Sequence, residues 1–181
     1  MWSLNTKEGY LANFEIYQGK RFSGNVNYER QFGKAAAPFV SMLDSLPQAK
    51  LLYKFCMDNL FLRIYLFHFL REKGYSVTGT FRDNRLPKNC PLKSNHELKS
   101  APRGTQDAYI AKDYVIMFVR WVDNNVVTIG STAYGVSPST SVKRYSQAEK
   151  RVIQVPRPCL LGQYYKYIDG TDQMDQNPAI G

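Results

Sequence analysis

Residues 51–69 read LLYKFCMDNLFLRIYLFHF, and the fold of the chain turns on how this stretch is divided. Leu51–Met57 is an apolar run interrupted only by Lys54, and it ends in a lone carboxylate, Asp58. A short apolar run bounded by a polar break is the pattern of a buried strand. A helical apolar run follows at once, up to Arg71-Glu72-Lys73, with Gly74 as its stop. The expectation is a strand over Leu51–Met57 that carries Asp58 to its tip, then a helix over Asn59–Lys73. Active sites of open α/β sheets lie at such carboxyl ends of strands. Asp58 has a second reading as a simple helix cap, since Asp and Asn are favoured at that position.

Upstream, Met1–Leu4 and the alternating Tyr10–Tyr17 predict two strands forming a hairpin. Gln18–Lys34 is polar and glycine-bearing and reads as a loop. Ala35–Leu46 predicts a helix with Phe39, Met42, Leu43 and Leu46 on one face, stopped by Pro47. Downstream, Tyr75–Phe81 reads as another strand. Arg82–Thr105 has little periodicity, and its cationic residues show no clear role. Tyr114–Ile129 predicts a hairpin turning at Asp123-Asn124-Asn125. Pro156 and Pro158 break the chain, and Leu160–Tyr167 starts a helix. A β/α segment to about Arg85, a β-rich segment to about Val155 and a short tail suggest an α/β domain carrying an insertion.

The 181 residues fit one domain, and the net charge of +9 with pI near 9.5 favours a polyanionic partner such as nucleic acid. The charge is uneven: net +5 over 1–85, +5 over 86–155 and −1 over 156–181. Lys143, Arg144, Lys150 and Arg151 are the candidate phosphate contacts, a solvated charged face being the alternative. Cys56, Cys90 and Cys159 form no CxxC pair, so neither a zinc site nor a disulfide framework is expected. The longest apolar run, Leu60–Leu70, contains Arg63 and His68 and is too short for the roughly 20 residues of a membrane span. No signal peptide is expected, and His68 reads as a core or interface histidine.

The tail, YIDGTDQMDQN, holds Asp169, Asp172 and Asp175. Asp172 and Asp175 share a face if helical, and two close carboxylates need a cation or a basic group. Mg²⁺ accepts one or two carboxylates with several waters, so Asp58 and Asp172 are candidate ligands of one ion. The alternative is an acidic helix start, favoured by the helix dipole. Neither histidine, His68 or His96, pairs with a nucleophile motif, and no GxSxG, P-loop or GxGxxG is present.

Several ordered stretches carry a resemblance: WSLNTKEGYLANFEIYQGK near the start, MDNLF at Asp58, GTFRDNR at Gly79–Arg85, KNCPL at Lys88–Leu92, RGT at Arg103, RWVDNNVVT at Arg120, VPRP at Val155 and GTDQMDQN at Gly170. Together they resemble the transposase domain of piggyBac transposable element-derived proteins. The resemblance implies an α/β, RNase H-like fold (a mixed sheet with helices) carrying a β-rich insertion. Residues 1–85 would be the core, 86–155 the insertion and 156–181 the return segment. It further implies a nuclear setting, DNA as partner, Mg²⁺ or Mn²⁺ as cofactor, and DNA cutting and joining by three aspartates. Asp58 matches the second of these, Asp172 the third, and Asp175 the further acidic residue beside it.

The family's first aspartate lies on a strand before the region matching Trp2. The expectation is therefore an incomplete core without its first strand, with an unpaired edge near Trp2–Leu4 and no transposase activity as this chain. Leu60, Leu62 and Arg63 also depart from the family's pattern. The competing expectations are a domesticated DNA- or chromatin-binding protein without chemistry, and an active enzyme completed by a longer chain. No membrane is expected as partner; a homodimer is one arrangement left open.

Overall fold

The computed structural model describes residues 2–16, 25–46 and 52–168. At its centre is a βαβ unit: β3 (Lys54–Met57), α3 (Ile64–Glu72) and β4 (Ser76–Thr80). β3 and β4 are parallel, and the crossover through α3 supplies the long connection that parallel pairing needs. Three antiparallel strands continue the sheet beyond β4: β5 (Gln106–Ala111), β6 (Ile116–Val122) and β7 (Val126–Ser131). The order across the sheet is β3-β4-β7-β6-β5. The protein is thus α/β with a mixed sheet. Strands from the 86–155 segment extend the sheet that begins with β3.

Side-chain alternation along β6 divides the interior in two. Ile116 and Phe118 face one layer, formed by α1 (Val26–Phe32), α2 (Ala37–Asp44) and α3. Val119 and Trp121 face the other, formed by β9 (Arg151–Arg157) and α5 (Cys159–Tyr167). β9 pairs with β8 (Thr140–Ser146) in a separate two-stranded sheet. A strand covered on both faces should be apolar throughout, and all of β6 except Met117 is fully buried. Arg120 is the polar exception. Its guanidinium reaches Asp83 Oδ1 at 2.6 Å and the Lys93 carbonyl, tying the 82–98 segment to the sheet. Within that segment lie a 3-10 turn at Asp83–Arg85 and α4 (Asn95–Leu98), whose first turn is fixed by a Ser94/Glu97 capping box.

β1 (Trp2–Asn5) and β2 (Leu11–Glu15) form the expected hairpin as a second two-stranded sheet. Three sequence expectations need correction. The polar stretch 18–34 contains α1, because Asn25 accepts from the amides of Asn27 and Tyr28 and Gly33 ends the helix at φ 84°. The run 51–57 enters the sheet only from Lys54; Leu52 is 80% exposed. The helix expected at Asn59 begins at Ile64, with Arg63 as its extended N-cap residue. Asp58 is therefore no helix cap. His68 sits half-buried against Tyr114, 6.2 Å between ring centroids.

Gly79 lets β4 press against the end of β3. A Cβ there would overlap the Met57 carbonyl oxygen and Leu62 Cδ1. Gly79→Ala is expected to cost about 1–3 kcal/mol by overpacking. A urea unfolding midpoint equal to the parent's would show that this approach is not tight.

Candidate functional site

Asp58 follows directly on the last residue of β3, where the chain leaves the sheet. Its Oδ1 accepts from the Asn59 amide at 2.6 Å, from Asn59 Nδ2 at 3.0 Å and from the Thr80 hydroxyl at 3.4 Å. Its Oδ2 has no hydrogen-bond partner among the described residues, and the residue is exposed. One oxygen of the carboxylate is thus held in place and the other is open. The turn is closed by the Phe61 amide donating to the Asp58 carbonyl at 3.3 Å.

Arginines surround this turn. Arg85 Nη1 donates to the carbonyls of Asn59, Leu60 and Leu62, the last two at 3.2 and 3.1 Å. Those bonds hold residues 59–62 in a turn and delay the helix. Arg82 Nε donates to Asn59 Oδ1 at 2.9 Å. Partial burial lowers the Arg85 pKa, and the neighbouring positive charges of Arg82 and Arg63 lower it further. Arginine remains cationic at neutral pH. Among the described residues no carboxylate pairs with Arg63, Arg82 or Arg85. The geometry joins the MDN and GTFRDNR stretches in one cationic rim around one carboxylate.

The last described helix also reaches this place. Burial pushes the Tyr164 hydroxyl up to about 12; a hydrogen bond with Thr80 opposes that shift and the charge of Asp58 adds to it. Ile168, where the described chain ends, lines the same cavity as Asp58.

The other expected site residues are placed differently. Asp172 and Asp175 lie outside the described residues, as does Asp169. Lys143 and Arg144 are on β8, Arg151 begins β9, and Lys150 is in the turn between them with φ 51°. Arg144 Nε is bound to Asp123 at 2.7 Å and Arg151 to Glu149 at 2.8 Å. Lys143 and Arg144 are neighbours on a strand and so point to opposite faces. Two of the four cations are engaged by carboxylates; Lys143 and Lys150 are exposed. Among the described residues no three of His, Cys, Asp and Glu come together as a metal site, so Asp58 is a single candidate ligand there. Arg63, Arg82, Arg85, Thr80 and Tyr164 were not singled out from the sequence. The signal available was the pair of arginines immediately after β4.

A carboxylate at the C-terminal end of a strand in a mixed sheet, ringed by unneutralised arginines, belongs to the class of domains that handle phosphate-bearing ligands. Residues 1–179 match the family described as Transposase IS4. The chain belongs to that transposase family, and its relatives mark it as piggyBac-type. It is 35% identical over 180 residues to human PiggyBac transposable element-derived protein 2, covering 99% of this chain and 30% of that protein. It is 35% identical over 178 residues to human PiggyBac transposable element-derived protein 3, covering 97% and 29%. The chain thus spans about 30% of the length of these curated relatives. Its fold is similar to that in the cryo-EM structure of a piggyBac transposase synaptic complex with hairpin DNA. The TM-score is 0.56 at 20% identity, covering 93% of this chain and 31% of that one.

Proposed function

We propose that this chain is part of the RNase H-like catalytic domain of a piggyBac-type transposase, and that the 181-residue polypeptide binds DNA without cutting it. The observation that carries this is the rim of Arg63, Arg82 and Arg85 around the open oxygen of Asp58. Cations without carboxylate partners attract a phosphate backbone, while a carboxylate among them would repel it unless a divalent ion lies between. The solved piggyBac complex, which contains DNA, agrees with that ligand class. In this reading residues 1–85 are a core without its first strand, 86–155 a β-rich insertion and 156–181 a return segment. A nuclear location and pairing of two copies belong to the same proposal.

Asp172 is the proposed second ligand of a Mg²⁺ or Mn²⁺ ion. It follows Ile168, at the cavity wall, by four residues. Four extended residues reach about 14 Å, enough to return to Asp58. Such an ion, when bound, activates the attacking water and stabilises the leaving oxygen. Asp58 would present one oxygen to it, Thr80 and Asn59 would hold that carboxylate in orientation, and the arginines would hold the backbone. Two protein carboxylates position an ion poorly for in-line displacement, hence the expected lack of cleavage.

The alternative, a purely binding role through the β8–β9 hairpin, would rest on Lys143 and Lys150, with Arg144 and Arg151 already paired. Incubation of the chain with duplex DNA and Mg²⁺ or Mn²⁺ tests the main reading. The expected result is retention without strand breaks. Breaks that disappear in Asp58→Ala would mean that the chain cuts DNA by itself, against the proposal.

A further inference from the structure

A cavity of about 530 Å³ lies beside Asp58. Residues 2–7, from β1 and the turn after it, line one wall, and residues 53–58, from β3 and its tip, line another. β1 pairs only with β2, and β3 is the outermost strand of the five-stranded sheet. Among the described residues, then, two strand edges without a strand partner border one slot. The cover above and below also differs in origin. Phe39, Met42 and Leu46 reach the cavity from the core layer of α2, and Tyr134 and Ile168 from the layer on the other face of the sheet.

We propose that this slot binds an extended strand supplied by another polypeptide, which pairs with β1 and β3 at once. Strand addition to an open edge draws affinity from main-chain hydrogen bonds and specificity from the side-chain pockets. Here there are two edges, so both rows of the ligand's main-chain groups are used. A small molecule cannot satisfy both rows along their length. The walls span five to six residues, about 17–20 Å of strand. A strand covered on both faces reads as a nearly continuous β-branched and apolar run, and that is the sequence class the slot selects. A second copy of this chain is the weaker occupant. Every strand among the described residues is already paired, so a copy would have to break one of its own pairs to donate it. The inference rests on slot geometry, and DNA binding by the arginine rim can fail or hold independently of it.

The test uses the whole chain and a synthetic seven-residue peptide, Val-Ile-Val-Val-Ile flanked by lysines. Trp2 lines the slot and the only other tryptophan, Trp121, is fully buried, so a saturable change in tryptophan fluorescence reports occupancy. The expected result is saturation together with slowed amide exchange in β1 and β3. The same peptide N-methylated at alternate amides should bind at least tenfold more weakly. Equal binding of both peptides would make the cavity a greasy pocket and overturn the proposal. No binding would do the same. A stable dimer with those amides already protected would assign the slot to a second copy and also overturn it. Duplex DNA affinity measured on the same sample separates failure of the slot from failure of the DNA reading.

Discussion

Truncation of Trp121 to alanine is expected to lower the free energy of unfolding by about 3–5 kcal/mol. The side chain is fully buried, and its Nε1–H donates to the Pro156 carbonyl at 2.8 Å. It sits where β6, β9 and α5 meet, in the layer containing Val119, Ile129, Leu160 and Leu161. Its loss would leave a cavity and an unpaired carbonyl, against a total stability of about 5–15 kcal/mol for a typical domain. Trp121→Phe keeps most of the apolar area and loses the hydrogen bond, so about 1 kcal/mol is the expected share of that bond. Urea unfolding of the two variants separates packing from hydrogen bonding. Equal costs would mean that the hydrogen bond, not the ring, holds the layer. The consequence is functional too, since α5 carries Tyr164 to Thr80 and Asp58 and leads into the acidic tail.

The second large effect is on DNA binding. Each cation that neutralises a phosphate contributes about 0.9 to the slope of log affinity against log salt for duplex DNA. Replacing Arg82 and Arg85 together by alanine is therefore expected to reduce that slope by about 2 and to weaken binding at least tenfold at low salt. Arg85 also holds the carbonyls of the 59–62 turn, so Arg82→Ala alone, with an expected slope change of about 1, checks that the loss is not structural. Asp58→Asn removes the carboxylate within the rim and is expected to raise affinity when no divalent ion is present. Replacing Lys143 and Lys150 by alanine is expected to change the slope little. A reversal of this pattern, with the hairpin lysines dominating, would move the interface to β8–β9 and favour the purely binding reading.

Much of the fold was legible where apolar spacing was strong. The run ending at Asp58, the helix around Phe39 and the hairpin around Asp123–Asn125 all follow from periodicity, and each is present. α1 was hidden because its only buried residue is Phe32, so its periodicity is too weak to outweigh the surrounding glycines and polar residues. β5 alternates as Gln106-Asp107-Ala108-Tyr109-Ile110-Ala111, but it lies next to a proline-bearing stretch without periodicity, which masks its start. Pro156 read as a breaker, yet it lies within β9. A two-stranded ribbon leaves one side of each strand free, where a missing amide costs nothing.

The site was half legible. Asp58 follows from a strand pattern ending in a carboxylate. The rim does not, because Arg82 and Arg85 come together with Asp58 only when β4 lies parallel to β3 and Gly79 lets the two ends approach. That is a long-range consequence of pairing, invisible to local spacing. The hairpin cations show the converse. Their clustering in the sequence does not survive alternation along β8 and pairing with Asp123 and Glu149.

The central claim is that Asp58 and Asp172 close on one divalent ion beside the arginine rim. Paramagnetic broadening by Mn²⁺ tests it on the intact chain and detects weak binding. The account expects the amide signals of Asp58–Asn59 and of Thr171–Gln173 to broaden together at the same Mn²⁺ concentration, and both effects to vanish in Asp58→Asn. Broadening at Thr171–Gln173 that persists unchanged in Asp58→Asn, with none at Asp58, would contradict it.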